Sequence, residues 1–153
     1  MSNSLEIKTK LLEQCNVFCQ AKLKTIQFQI EEINKALTNE TKSSAGDKHE
    51  TGRAMLQLER EKLGTQLAEQ QKLQKVLSRI QINKTSQVIG LGSVVYTTQA
   101  NYFLAISAGE LQVKGTVYYG ISIQTPIGKL LLGKTTGCEV EFREEIFTIE
   151  KVT

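Results

Sequence analysis

LEIKTKLLEQCNVFCQAKLKTIQFQIEEINKAL, residues 5–37, contains no glycine and no proline. Its apolar side chains recur as Leu5, Leu12, Cys15, Cys19, Leu23, Ile26, Ile30, Ile33 and Leu37, at gaps of three, four and seven residues. At about 3.6 residues per turn those gaps collect on one stripe, so the spacing predicts a single long amphipathic helix. A second stripe, Leu56, Leu63, Leu67, Leu73, Leu77 and Ile80, lies among Gln, Glu, Lys and Leu, all good helix formers. Gly64 inside it costs roughly 1 kcal/mol relative to alanine, which a long helix can absorb. Two helices of roughly 30 residues would each be about 45 Å long. Neither can bury its stripe alone, and a short connection returns the chain alongside itself, so an antiparallel coiled-coil hairpin is expected over residues 1–84.

Between the two stripes lies TNETKSSAGDKHETG, residues 38–52, with no apolar side chain larger than Ala45. This stretch is expected to form the hairpin tip. Gly46 can take an unusual backbone dihedral, and Asp47 followed by Glu50 is a sequence signal for the start of the second helix. Past Ile82 the character changes. NKTSQ, residues 83–87, is a polar linker, and the segments after it are rich in Val, Ile, Tyr, Phe and Thr. Residues 94–98, 102–107, 117–123, 139–143 and 147–151 are predicted strands, most of them separated by glycine-containing turns. Pro126 opens PIGKLLLG and Gly133 closes it, the arrangement of a short helix begun by proline and ended by glycine. The fold class is therefore α+β, with a long helical hairpin followed, over residues 85–153, by a small antiparallel β-sheet domain bearing one short helix.

Composition narrows the function classes. The 153 residues are 40% hydrophobic and 23% charged, which argues against wholesale disorder. No apolar run approaches the roughly 18 residues of a membrane-spanning helix, so no membrane partner is expected. The start, MSNSLEIKTKLLEQ, lacks the charged and apolar regions of a secretory signal, and a cytoplasmic protein is expected. Cys15, Cys19 and Cys138 are odd in number and lack metal-ligand spacing, so they read as small hydrophobes, although Cys15 and Cys19 share a helix face on which a zinc pair is conceivable. The net charge of +3 is uneven: residues 1–84 carry 14 Lys and Arg against 10 Asp and Glu, and residues 85–153 carry 5 against 6. The helical part holds the positive field.

Two local patterns carry a resemblance. TPIGKLLLGKTTGCEVEFREEIFTIEKV, residues 125–152, has a Thr-Pro step at Pro126, a short helix, the turn Leu132-Gly133-Lys134, a later turn at Gly137 and two terminal strands. The tip reads Gly46, Asp47, Lys48, His49, Glu50. Taken in this order, the two modules resemble the Gre family of RNA polymerase-binding transcript cleavage factors, with Cys138 standing where that family usually has an aspartate. The resemblance implies that residues 85–153 form a Gre-type C-terminal domain, similar in fold to FKBP-type isomerases but without their catalysis. It implies too that the hairpin enters the polymerase's substrate-entry channel and stimulates cleavage of backtracked RNA. The chain is then no free enzyme. It acts in trans as a monomer on the polymerase's own chemistry.

Phosphodiester cleavage of that kind uses two divalent ions about 4 Å apart, one activating water and one steadying the leaving oxygen. On the resemblance, Asp47 and Glu50 are the catalytic pair and the ligands of the weakly held Mg ion, within the polymerase active centre and nowhere else. Two carboxylates on a solvated tip are too few for a resident magnesium site. Lys42, Lys48, Arg53 and Arg60 would touch the nascent RNA 3′ end or acidic channel walls. Each assignment has a plainer counterpart. Asp with Glu three residues on is also how an ordinary helix starts, and the four cations also fit a solvated helix face. His49 fits a proton carrier or an idle tip residue. Gly90-Leu91-Gly92 lacks the third glycine and Lys-Ser/Thr of a phosphate loop, and Tyr102, Phe103, Tyr118 and Tyr119 fit sheet packing better than base stacking. Two other functions remain open, a channel-binding regulator that does not stimulate cleavage and a coiled-coil adaptor with no enzymatic role.

Overall fold

A computed structural model describes the backbone of residues 2–42 and 46–153 and the side chains of residues 3–39 and 50–153. Two long helices come first, α1 (Ser2–Lys42) and α2 (Gly46–Ser78). Most of the expected tip is thus helical. Residues 38–42 extend α1 and residues 46–52 open α2, leaving residues 43–45 outside the described residues. Thr, Asn, Glu and Lys each cost at most about 0.7 kcal/mol within a helix, and lengthening an existing helix needs no new nucleus. Asp47 is accordingly the second residue of α2.

Packing divides the chain into two compact units, and both helices contribute to each. One unit is Cys19–Gln74, and the other comprises Met1–Phe18 with Lys75–Thr153.

Within Cys19–Gln74, Ile26 and Ile30 of α1 are buried with Leu63 of α2, flanked by Ile33 and Leu67. The Cys19 thiol donates to the main-chain oxygen of Gln70 at 3.6 Å. Position 19 opposite 70 and positions 26 and 30 opposite 63 make the pair antiparallel. Burying each Ile or Leu contributes on the order of 1.5–3 kcal/mol, which makes this seam the unit's main source of stability. The α2 side of the seam is less apolar than the stripe suggests. Arg53, Leu56, Arg60, Leu67 and Gln70 are all half-buried around the buried Leu63, at alternating gaps of three and four.

In the other unit, six strands form one sheet: β1 (Val94–Thr97), β2 (Asn101–Ala105), β3 (Gly109–Val113), β4 (Thr116–Ser122), β5 (Glu139–Phe142) and β6 (Glu145–Val152), in the order β3-β4-β2-β1-β6-β5. The expectation of five strands misses β3, because GELQV turns only Leu111 and Val113 inward from a sheet edge. Four of the five pairings are antiparallel, and β2 pairs with β4 in parallel, Tyr102 opposite Tyr119 and Ala105 opposite Ser122. That crossover is possible because β3 intervenes between the two strands in sequence and then pairs outside β4.

Each sheet face is covered. On one, Val95, Leu104, Val140, Phe147 and Ile149 are buried with Leu131 of α3 (Pro126–Leu131). The short helix forms as its punctuation predicts. The Thr125 hydroxyl accepts from the Gly128 N–H at 3.1 Å, Pro126 occupies the first turn, and Gly133 leaves with φ 83°. On the other face, Val94, Phe103, Leu111, Val113 and Tyr118 are buried, and α1 is tied to the edge strand β3 and the turn after it. Gln14 exchanges hydrogen bonds with the main chain of Gln112, at 2.8 and 3.3 Å, and Lys114 reaches Glu6 at 2.9 Å. Leu11 and Cys15 are wholly buried in this stretch, whereas Leu12 is half-buried and Leu5 is 41% exposed, so the stripe runs one residue away from its expected start.

Candidate functional site at the hairpin tip

Asp47 and Glu50 stand three residues apart, as the second and fifth residues of α2. In a helix that spacing puts two positions on one face, at the end where the helix dipole favours negative charge. Glu50 is exposed. The side chain of Asp47 lies outside the described residues, as do those of Lys42, Lys48 and His49.

The remaining two cations are placed differently from expectation. Arg53 and Arg60 are half-buried and fall in register with Leu56 and Leu63 on the inner side of α2, so neither belongs to a fully solvated face. A Cβ added at Gly64 would lie 3.2 Å from Nη1 of Arg60, which puts the guanidinium over the one position of that turn without a side chain. The signal was present in the sequence, since Arg53 and Arg60 precede Leu56 and Leu63 by three residues each.

Among the described residues, no group of three or more His, Cys, Asp or Glu is gathered. Magnesium takes about six oxygens, so an ion touching Glu50 would draw most of its ligands from water and from a partner's carboxylates. Cys15 and Cys19 are both buried, and burial pushes the Cys15 thiol up to about 12 and the Cys19 thiol up as well.

The aromatic residues of the sheet are occupied with packing. Phe103 and Tyr118 are buried, and the Tyr118 ring meets Tyr96 edge-on at 5.9 Å with their hydroxyls 3.2 Å apart. Tyr102 lies 6.4 Å from both Tyr119 and Phe147. In Gly90-Leu91-Gly92, Gly92 has φ 87° and sits so close to Ile80 that a Cβ would come within 2.9 Å of its methyl group. That glycine serves a tight turn over α2's exit.

Sequence reasoning passed over Lys8. It is 97% buried, its exposure being 3%, and its ammonium donates to the main-chain oxygen of Lys84 at 3.1 Å. A signal for it existed, because Lys8 precedes Leu11 and Cys15 by three and seven residues and so falls on the buried stripe of α1.

No protein-family model matches the chain, and no curated protein matches it. Among solved structures, the chain is similar to the crystal structure of GreA factor homolog 1 (Gfh1) of Thermus thermophilus, at 20% sequence identity and a TM-score of 0.35, over 88% of this chain and 92% of that one.

Proposed function

We propose that this chain is a Gre-like factor that binds RNA polymerase, passes its hairpin into the substrate-entry channel and stimulates cleavage of backtracked RNA. One observation carries the reading: α1 runs to Lys42 and α2 begins at Gly46, so Asp47 and Glu50 stand at the turn of a helical hairpin. Beyond the unit that holds the sheet, α1 continues from Cys19 to Lys42, a stretch of about 36 Å at ~1.5 Å per residue, which gives the hairpin its reach. The capped helix from Thr125 through Leu132-Gly133-Lys134 gives further support, since it is the module from which the resemblance was drawn.

In this reading Asp47 and Glu50 would offer carboxylate oxygens to a magnesium ion shared with the polymerase's own carboxylates, and the chemistry that ion would supply there is activation of water toward the RNA phosphodiester. The chain supplies ligands and orientation, and the polymerase supplies the reaction centre.

The test uses purified polymerase halted in a backtracked complex. Addition of the protein shortens the RNA, and Asp47→Asn with Glu50→Gln abolishes the shortening while binding persists. Unchanged cleavage by the double variant rules out tip chemistry. Binding that alters promoter output with RNA length constant assigns the non-cleaving regulator instead, and failure to bind polymerase leaves the adaptor.

A further inference from the structure

Lys8 lines a cavity of about 280 Å³ together with Arg79, Lys84, Ser86 and Ser93. Among the described residues, no carboxylate lines it. An ammonium carries three donors, and Lys8 uses one of them on the Lys84 carbonyl. Among the described residues it makes no ion pair, although burial disfavours its charged form. Ser93 is 5% exposed, and its oxygen accepts from the Gly90 N–H at 3.0 Å, leaving the hydroxyl proton without an acceptor among the described residues. Ser86 repeats the arrangement, accepting from the Val88 N–H at 3.2 Å. Arg79 and Lys84 are exposed at the cavity's rim.

The cavity therefore presents donors of several kinds and positive charge from three residues. We propose that it is an anion site that binds a phosphate group. A phosphate dianion offers acceptor oxygens in tetrahedral directions, which suits donors arriving from α1, from the end of α2 and from the following loop. A carboxylate offers its oxygens in one plane and carries half the charge. Arg79 supplies the planar fork that grips two phosphate oxygens, Lys8 supplies a desolvated charge at the floor, and the serine hydroxyls turn their free protons to the remaining oxygens. The Lys8 bond to Lys84 fixes the ammonium in place, so the site is preorganised. The tip plays no part in it, and the inference stands whether or not the chain acts on a polymerase.

Calorimetric titration of the full chain at constant ionic strength tests the site, with inorganic phosphate, adenosine monophosphate and an oligoribonucleotide with or without a 5′ phosphate as probes. Saturable binding of inorganic phosphate is expected, weakened at least tenfold by Arg79→Gln with Lys84→Gln and lost in Lys8→Met. The rim pair is exposed and leaves the fold intact, so it decides the matter even where Lys8→Met fails to fold. Equal affinity for phosphate and the nucleotide supports a free-anion site. Tenfold preference for the 5′-phosphorylated oligonucleotide over its hydroxyl form supports recognition of a nucleic-acid end. Absence of saturable phosphate binding, or binding indifferent to the rim variants, overturns the proposal.

Discussion

Arg143 and Glu144 are adjacent residues that both hold positive φ, 54° and 68°, at the centre of the two-residue turn between Phe142 and Glu145. The geometry is that of a type I′ hairpin turn, for which asparagine followed by glycine is preferred. The companion turn between Val113 and Thr116 has Gly115 at its second position, with φ 81°. The left-handed region costs a residue with a Cβ roughly 1–2 kcal/mol. Arg143 regains part of that by lying 5.0 Å over the Phe142 ring, a contact Glu144 lacks.

Glu144→Gly should therefore stabilise the protein by about 1 kcal/mol, net of the extra freedom glycine gives the unfolded chain. A thermal melt should show a midpoint higher by about 2–4 °C. A lower midpoint would mean that the turn does not hold this geometry in solution.

Gly128 allows no side chain. A Cβ there would meet the Ser122 carbonyl oxygen at 2.1 Å and the Thr125 hydroxyl at 2.9 Å, the same atom that caps α3. Gly128→Ala should cost about 1–3 kcal/mol or more by forcing the helix off the sheet. Gly90→Ala is the matched control, with open space around its Cβ, and should stay within about 0.5 kcal/mol of the parent. Denaturant midpoints measured on the pair would show the contrast, and equal losses would refute the steric account.

The three thiols should differ in chemistry. Cys138 has its thiol pulled down by hydrogen bonds from the main chain and hydroxyl of Thr135, whereas Cys15 is raised to about 12 by burial. Alkylation of the native protein near pH 8 should label Cys138 first, with Cys15 slower by about a hundredfold or more. Stability carries the same imprint. Cys15 has a higher pKa folded than its ordinary 9.0, so its contribution is whole below pH 9. Between 9 and about 12 the unfolded chain binds fewer protons than the folded one, and that contribution is lost as pH rises. Mass-mapped labelling and melts across that range check both claims. Rapid labelling of Cys15 in the folded protein would contradict its burial.

The long helices were legible because Cys19, Leu23, Ile26 and Ile30 repeat at helical spacing, and α3 because Thr125, Pro126 and Gly133 punctuate it by local chemistry. The tip is shorter than its polar composition suggests, because Thr38 to Lys42 carry nothing that stops a helix. β3 escaped because an edge strand with two inward residues leaves a faint pattern. The parallel pairing of β2 with β4 depends on contacts across the sheet, which no local stretch encodes. Arg53, Arg60 and Gln70 were overlooked in the seam, and Lys8 in the stripe, for one shared reason. A search for apolar periodicity skips the polar residues that keep the same rhythm. At the candidate site, the position of Glu50 in α2 followed from the sequence, and the inward placement of Arg53 and Arg60 did not.

The sharing of α1 between the two units has a consequence during synthesis. Leu11 and Cys15 are buried in a unit whose other part begins at Lys75, so they leave the ribosome well before its strands, β1 to β6, are made. Residues 19–74 have their partners nearby in the chain and can close as soon as α2 is complete, whereas the nascent N-terminal turns must carry an uncovered apolar stripe until the sheet arrives. Ordering of that unit waits on the strands through Val152, so a translation product interrupted before them would expose Leu11 and Cys15 to any chaperone or neighbouring chain within reach.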